Sequence, residues 1–227
     1  MFQTEEALVK KLKRNYSNIC YWNTLSFPTK IFEEVDLGFG IADLVISKLK
    51  ATSINRNSYL NYLDITIYKI IQNNSEISFE QIKHLTRADS RTIKKSISKL
   101  KLEKYVKEVN TIYKPGRTYK HFLSDSIAIE AKLKNWRRAL NQAYRYKWFA
   151  STSYVVLDEK RISSAELNID LFKEMNVGLA CINKKGKVSI RYKPKKEKPF
   201  DEKMQMLLNE LMLVSYLDRR KDFQIAK

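Results

Sequence analysis

Short apolar runs of strand length constrain this chain more than any other feature: "IADLVIS" (41–47), "SIAIEAKL" (126–133), "TSYVVLDE" (152–159) and "VGLACIN" (177–183). The stretches "NWRRALNQAYRYKWFA" and "AELNIDLFKEMN" lie between them and carry helical periodicity. Alternating strands and helices imply an α/β sheet covered on both faces. A hairpin opens the sheet. In "KIFEEVDLGFGIADLVISKLK" the apolar Ile31, Val35 and Leu37 sit at even spacing, Gly38 and Gly40 mark a turn or bulge, and Asp43 stands on the second arm. A helix over residues 4–15 precedes it, with Thr4 as N-cap and Ala7, Leu8 and Leu12 as its apolar stripe. "KVSIRYK" pairs with "VGLACIN" around Lys185 and Gly186, and a last helix follows the charged loop "KPKKEKPF".

Between the second and third strands the pattern changes. "SYLNYLDITIYKIIQNN" and "ISFEQIKHLT" read as two helices, the second with a capping box of Ser78 and Gln81 and a hydrophobic staple of Ile77 and Ile82. "ADSRTIKKSISKLKLEKY" reads as a third, with Ile93, Ile97 and Leu100 inward and Arg91, Thr92, Lys94, Lys95, Ser98 and Lys99 outward. "YVKEVNTIYKPGRTYKHF" reads as two strands about a turn at Pro115 and Gly116, with Lys114 and Arg117 at its tip. This order is that of a winged helix-turn-helix, whose third helix and wing touch DNA. A dimerising helical hairpin is the competing account. The expected division is therefore 1–53 with 120–227 as a discontinuous α/β domain, and 54–119 as an inserted DNA-binding domain.

Charge points the same way. The 227 residues hold 43 Lys plus Arg against 25 Asp plus Glu, a net +18. An excess of this size concentrates polyanions, nucleic acid before an anionic membrane surface. Two cysteines without a paired motif, Cys20 and Cys181, exclude a paired-cysteine zinc site and read as reduced thiols of a cytoplasmic protein. His84 and His121 are the only histidines, which argues against histidine-based nuclease chemistry. No apolar run reaches membrane-spanning length.

The chemistry concentrates in "IAIEAKL". Glu130 and Lys132 are two apart on a strand and so share a face, and Asp43 lies on a strand able to neighbour it. Two carboxylates at strand ends hold a hard divalent cation, and a lysine beside them orients a water or offsets charge on a phosphate. Asp43 in "GIADLVI", followed by the Glu130-Ala131-Lys132 triplet, resembles the PD-(D/E)XK nuclease superfamily, the restriction-endonuclease-like fold. Gln142 and Tyr146 in "QAYRY" have the Gln-x-x-x-Tyr spacing of its RecB-type branch, and Glu5, or neighbouring Glu6, fills the slot of an early helix acid. Ala42 stands where the motif carries proline. The gap between Asp43 and Glu130 is longer than usual, by about one winged helix.

The resemblance implies a mixed central sheet flanked by helices and a metal-dependent deoxyribonuclease. It implies that Asp43, Glu130 and the Ala131 carbonyl bind Mg2+ or Mn2+ with help from Glu5, that Lys132 activates the attacking water, and that Gln142 and Tyr146 orient the site. Lys134, Arg137 and Arg138 on the following helix would grip the DNA backbone, or else form a solvated face. A two-strand cut hints at a homodimer. The alternative is a regulatory or replication protein whose nuclease-like core only holds DNA, with Glu130 and Lys132 a plain salt bridge. Trp136 and Trp148 read first as core aromatics and second as base-stacking residues. Glu33 and Glu34 read as surface charges of the hairpin.

Overall fold

A computed structural model describes residues 1–50, 56 and 58–225, with side chains as far as residue 215. The expected start of the insert, at residue 54, lies outside the described residues. The chain divides into two compact units, Met1–Thr52 with Leu123–Gln205, and Ser53–Phe122 with Met206–Lys227.

The first unit is built on a six-stranded mixed sheet flanked by helices. Helix α1 (Glu5–Arg14) is capped by Thr4, whose hydroxyl accepts the Ala7 N–H at 3.1 Å. Strands β1 (Thr29–Asp36) and β2 (Ile41–Leu49) form the opening hairpin. Six elements of the second unit lie between β2 and the next strand of this sheet, β6 (Leu123–Lys132). Helix α5 (Trp136–Arg145), β7 (Thr152–Asp158), the short α6 (Ser163–Glu166) and α7 (Ile169–Glu174), β8 (Gly178–Ile182) and β9 (Val188–Tyr192) complete the unit. The sheet order is β1-β2-β6-β7-β8-β9. The pairs β6–β7 and β7–β8 are parallel, and the rest are antiparallel. Where one helix was expected over "AELNIDLFKEMN", Leu167 and Asn168 interrupt it.

Strand alternation divides the core between the two faces of the sheet. Leu8 and Leu12 of α1 pack with Leu44, Ile46, Ile127, Ile129 and Val156. Ala128 and Glu130 therefore turn to the other face, where α5 lies on β6 and β7 with Ala139, Leu140 and Ala143 buried.

The second unit holds α2 (Tyr62–Asn74), β3 (Ile77–Ser78), α3 (Phe79–Thr86), α4 (Ser90–Leu102), β4 (Val106–Val109) and β5 (Ile112–Pro115), the strands ordered β3-β5-β4. The capping box of Ser78 and Gln81 is present, and Ile93, Ile97 and Leu100 face the core. The hairpin turn is not at Pro115 and Gly116. It falls at Asn110 and Thr111, both at positive φ (50° and 67°), as a tight two-residue turn demands. Gly116 instead lets the chain lie close to Lys104 and Tyr105: its N–H donates to the Tyr105 carbonyl at 2.8 Å, and a Cβ would stand 2.2 Å from the Lys104 oxygen.

The tail helix α8 (Glu202–Ile225) corrects the expected division, because from Met206 onward it belongs to this second unit. Its polar residues explain why. Glu210, 1% exposed, takes both guanidinium nitrogens of Arg56 at 2.5 and 2.9 Å, the Leu60 N–H at 2.6 Å and the Tyr119 hydroxyl at 2.6 Å. Asn209 accepts the Phe122 N–H at 2.6 Å and donates to Tyr119 at 2.6 Å. Buried polar groups must find partners, and these find them within the 53–122 segment. Removing Glu210 would leave the buried Arg56 guanidinium with only the Glu103 carboxylate, 4.0 Å away. Glu210→Ala should therefore cost about 3–5 kcal/mol, seen as an early transition of this unit in urea unfolding followed by circular dichroism.

Candidate active site

The ladder between β2 and β6 ends at Leu44 opposite Ile129. Continued by one residue, that register sets Asp43 opposite Glu130. Past the last pair, the Ala131 N–H has lost its backbone acceptor on β2 and donates instead to Asp43 Oδ2 at 2.7 Å. The end of a ladder thus fixes a carboxylate against the Glu130-Ala131-Lys132 triplet.

Lys132 is the last residue of β6, and its side chain bends round the strand end. Its Nζ lies 3.1 Å from Glu130 Oε1, 3.1 Å from Glu5 Oε2 and 4.0 Å from Asp43 Oδ2. Glu5 reaches it from the first turn of α1 and also accepts the Leu133 N–H at 3.4 Å. Three carboxylates from α1, β2 and β6 thus surround one ammonium group. Among the described residues, no three His, Cys, Asp or Glu side chains are arranged to hold a metal ion; the centre of the cluster is Lys132.

Glu130 is 1% exposed. Burial first, and the Asp43 charge after it, raise its pKa above the ordinary glutamate value, while the Tyr146 hydrogen bond and Lys132 oppose the rise. The Asp43 pKa is also raised, by burial above all, with the Ala131 N–H and Lys132 pulling the other way. Burial lowers the Lys132 pKa, but the carboxylates of Glu130 and Asp43 outweigh it and hold the group above the usual lysine value. Lys132 is therefore a cation at neutral pH and not a free base.

Tyr146 follows α5 on the far side of Glu130. Its hydroxyl meets Glu130 Oε2 in a short hydrogen bond and the Ile41 carbonyl at 2.7 Å. The hydroxyl is the donor to Glu130, and this is the contact that opposes the rise in its pKa. Gln142 precedes Tyr146 by one helical turn and so shares its face. Its Oε1 is buried without a hydrogen-bond partner among the described residues.

The cluster brings together Glu5, Asp43, Glu130, Lys132 and Tyr146; Ala131 joins through its N–H. Lys134, Arg137 and Arg138 are exposed at the start of α5, and Arg137 lies 4.8 Å over the Trp136 ring. Trp136 is buried against Phe172, as expected. Trp148 departs from the core reading: it is 38% exposed and stacks on Phe39 at 4.9 Å. Glu33 sits on the surface, paired with Lys13. On α4, Arg91, Thr92, Lys94, Lys95 and Ser98 are exposed. Lys99 is engaged by buried Asp64 at 2.6 Å, Lys114 pairs with Glu76, and Arg117 pairs with Glu103 at 3.0 Å while lying over Tyr105. Neither Lys114 nor Arg117 is at the hairpin tip. Comparisons with protein-family models, curated proteins and solved structures find no match.

Glu130 gives a stability test. A folded-state pKa raised above the unfolded value contributes stability below the ordinary glutamate range and loses it as pH rises through the folded value. Glu130→Gln keeps the shape of the protonated acid. In EDTA it should melt above the wild type at pH 7. That gain should shrink toward zero as the pH falls below about 4, where the wild-type acid is itself protonated, and thermal melts across this range check it.

Proposed function

We propose that the chain is a metal-dependent DNA nuclease of the PD-(D/E)XK type. The observation that carries this reading is the convergence of Glu5, Asp43, Glu130 and Lys132, from elements far apart in sequence, on one point at the end of β6. Carboxylates in water have no reason to gather; here three stand around a single ammonium, leaving a formal charge of −2. Burial and mutual repulsion already raise the pKa of two of them. With Lys132 drawn aside and the acids rearranged, such a donor set would suit a hard divalent cation. The Gln142 oxygen is buried without a hydrogen-bond partner among the described residues and lies on the same side of α5 as Tyr146.

In this reading Glu5, Asp43, Glu130 and the Ala131 carbonyl would hold Mg2+ or Mn2+, whose chemistry when bound is to lower the pKa of a water and neutralise phosphate charge. Because the carboxylates close on Lys132, the ammonium must share or yield the centre for the ion to enter. Lys132, 3.1 Å from Glu130, would orient the attacking water or stabilise negative charge on the phosphate. Tyr146 holds Glu130 in place through its hydroxyl.

The second unit supports DNA as the substrate. Three helices followed by the β4–β5 hairpin have the element order of a winged helix, with α4 as the helix that enters the groove. The exposed Arg91, Thr92, Lys94, Lys95 and Ser98 are its contact set. The net charge of +18 draws the polyanion in. No helix among the described residues is long and apolar enough to cross a membrane.

A second reading has its own observation: the carboxylates already have a cation in Lys132, as a plain salt-bridge cluster would. Under it the core holds DNA without cutting. A substrate panel of linear duplex, single strand, branched junction and RNA, with magnesium or EDTA, separates the two. Cleavage should appear with magnesium, vanish in EDTA, and fall by at least about 100-fold in Glu130→Gln and Lys132→Ala. Duplex bound tightly in magnesium with no substrate ever nicked decides for the binding protein. On α4, Lys94→Ala and Lys95→Ala should each weaken duplex binding across sequences and lower the salt slope of log affinity by about one, measured by fluorescence anisotropy at several salt concentrations.

A further inference from the structure

The parallel strands β6, β7 and β8 end side by side, and each is followed within a few residues by a cation: Lys134, Arg161 and Lys184. All three line one cavity of about 650 Å³, with Phe2, Gln3 and Glu5 among its other walls. In open α/β sheets, ligands settle in the crevice beyond the carboxyl ends of parallel strands. The volume suits a nucleotide-sized group. None of the three cations forms an ion pair among the described residues, and each is at least partly exposed.

The walls are built and not incidental. Asp158, 1% exposed at the end of β7, accepts the Phe2 N–H and the Lys160 N–H, the latter at 2.9 Å, so it ties the first residues of the chain to the turn that carries Arg161. Lys184 lies in the β8–β9 turn, which is closed by hydrogen bonds between Asn183 and Lys187. That turn needs Gly186: its φ is +94°, and a Cβ would come within 2.6 Å of the Asn15 side chain behind α1. Lys134 precedes Asn135, which caps α5.

Glu5 belongs both to this cavity and to the carboxylate–lysine cluster, so the two sites share a wall. Three cations against one carboxylate leave a formal +2. A phosphodiester carries one negative charge, whereas a terminal phosphate monoester carries about −2 near neutral pH. We infer that the cavity seats the terminal phosphate of a nucleic-acid strand beside the cutting site, so that phosphorylated strand ends are the preferred substrates. The inference rests on the nucleic-acid reading above but not on cleavage.

Its test is made in EDTA, so that it stands apart from catalysis. Labelled duplexes ending in a 5′-phosphate, a 3′-phosphate or hydroxyls only are compared by fluorescence anisotropy, with deoxynucleoside 5′-monophosphate as competitor. One phosphorylated end should bind about tenfold tighter than the hydroxyl end, as charge-assisted contacts to a dianion provide. The double variant Arg161→Gln with Lys184→Gln should erase that preference with an unchanged circular dichroism melt. Equal binding of all ends by the wild type, or a preference that survives in the double variant, overturns the inference. Displacement of the duplex by equimolar monophosphate overturns the strand-end source and assigns the seat to free nucleotides. An end preference in a protein that never cuts sinks the nuclease reading alone; cleavage without end preference sinks this one alone.

Discussion

The place where the β2–β6 ladder ends governs the candidate site. Up to Leu44 and Ile129 the two strands satisfy one another's backbone. One step further, the Ala131 N–H needs an acceptor, and Asp43 provides it. That bond orients Asp43 toward the triplet, and with it the edge of the space into which Lys132 bends. Without it, an aspartate flanked by apolar residues has no reason to remain ionised in a half-buried position. Glu130, deeper still, depends on Tyr146 and Lys132 for the same purpose. The cluster is held by satisfying polar groups that the fold has already forced out of water, and its cost shows in the raised pKa of both acids.

The two units solve their polar burdens differently. In the first, charged groups gather at the ends of strands, Glu130 buried and Glu5, Asp43 and Lys132 at least partly open to solvent. In the second, the Arg56–Glu210 pair and its Tyr119 and Asn209 partners are sealed inside. An enclosed network of that kind has no opening for chemistry; it fastens α8 to the segment it packs on. The same reasoning sorts the basic residues. Lys99, Lys114 and Arg117 are held by carboxylates of their own unit, whereas Lys94 and Lys95 on α4, and Lys134, Arg161 and Lys184 on the sheet, form no ion pair among the described residues.

Much of this was legible in the chain. The apolar runs and helical periodicities located every strand of the six-stranded sheet, and the Glu-x-Lys spacing on a strand, an upstream aspartate and an early helix acid named the members of the cluster. Tyr146 was visible as a position one turn beyond Gln142. What was not legible has physical causes. Pro115 and Gly116 have turn chemistry, yet the hairpin bends at Asn110 and Thr111, because Gly116 is needed for a close backbone approach elsewhere. The tail helix was grouped with the α/β domain, since its buried Glu210 and Asn209 reveal their partners only when Arg56 and Tyr119 are beside them. Trp136 and Trp148 look alike in the helical pattern, but Phe39 from the β1–β2 turn draws one of them to the surface.

Periodicity and residue type alone settle that this is an α/β chain interrupted by a helical segment, and that Glu130 and Lys132 share one face of a strand. Those are local matters, decided by which side chains tolerate burial along a strand or helix. That Glu5 joins them, that the lysine sits at their centre, and that Lys134, Arg161 and Lys184 ring one cavity are decided only by tertiary structure. Each depends on strand order and on where neighbouring ladders stop, and those follow from packing between residues more than a hundred positions apart.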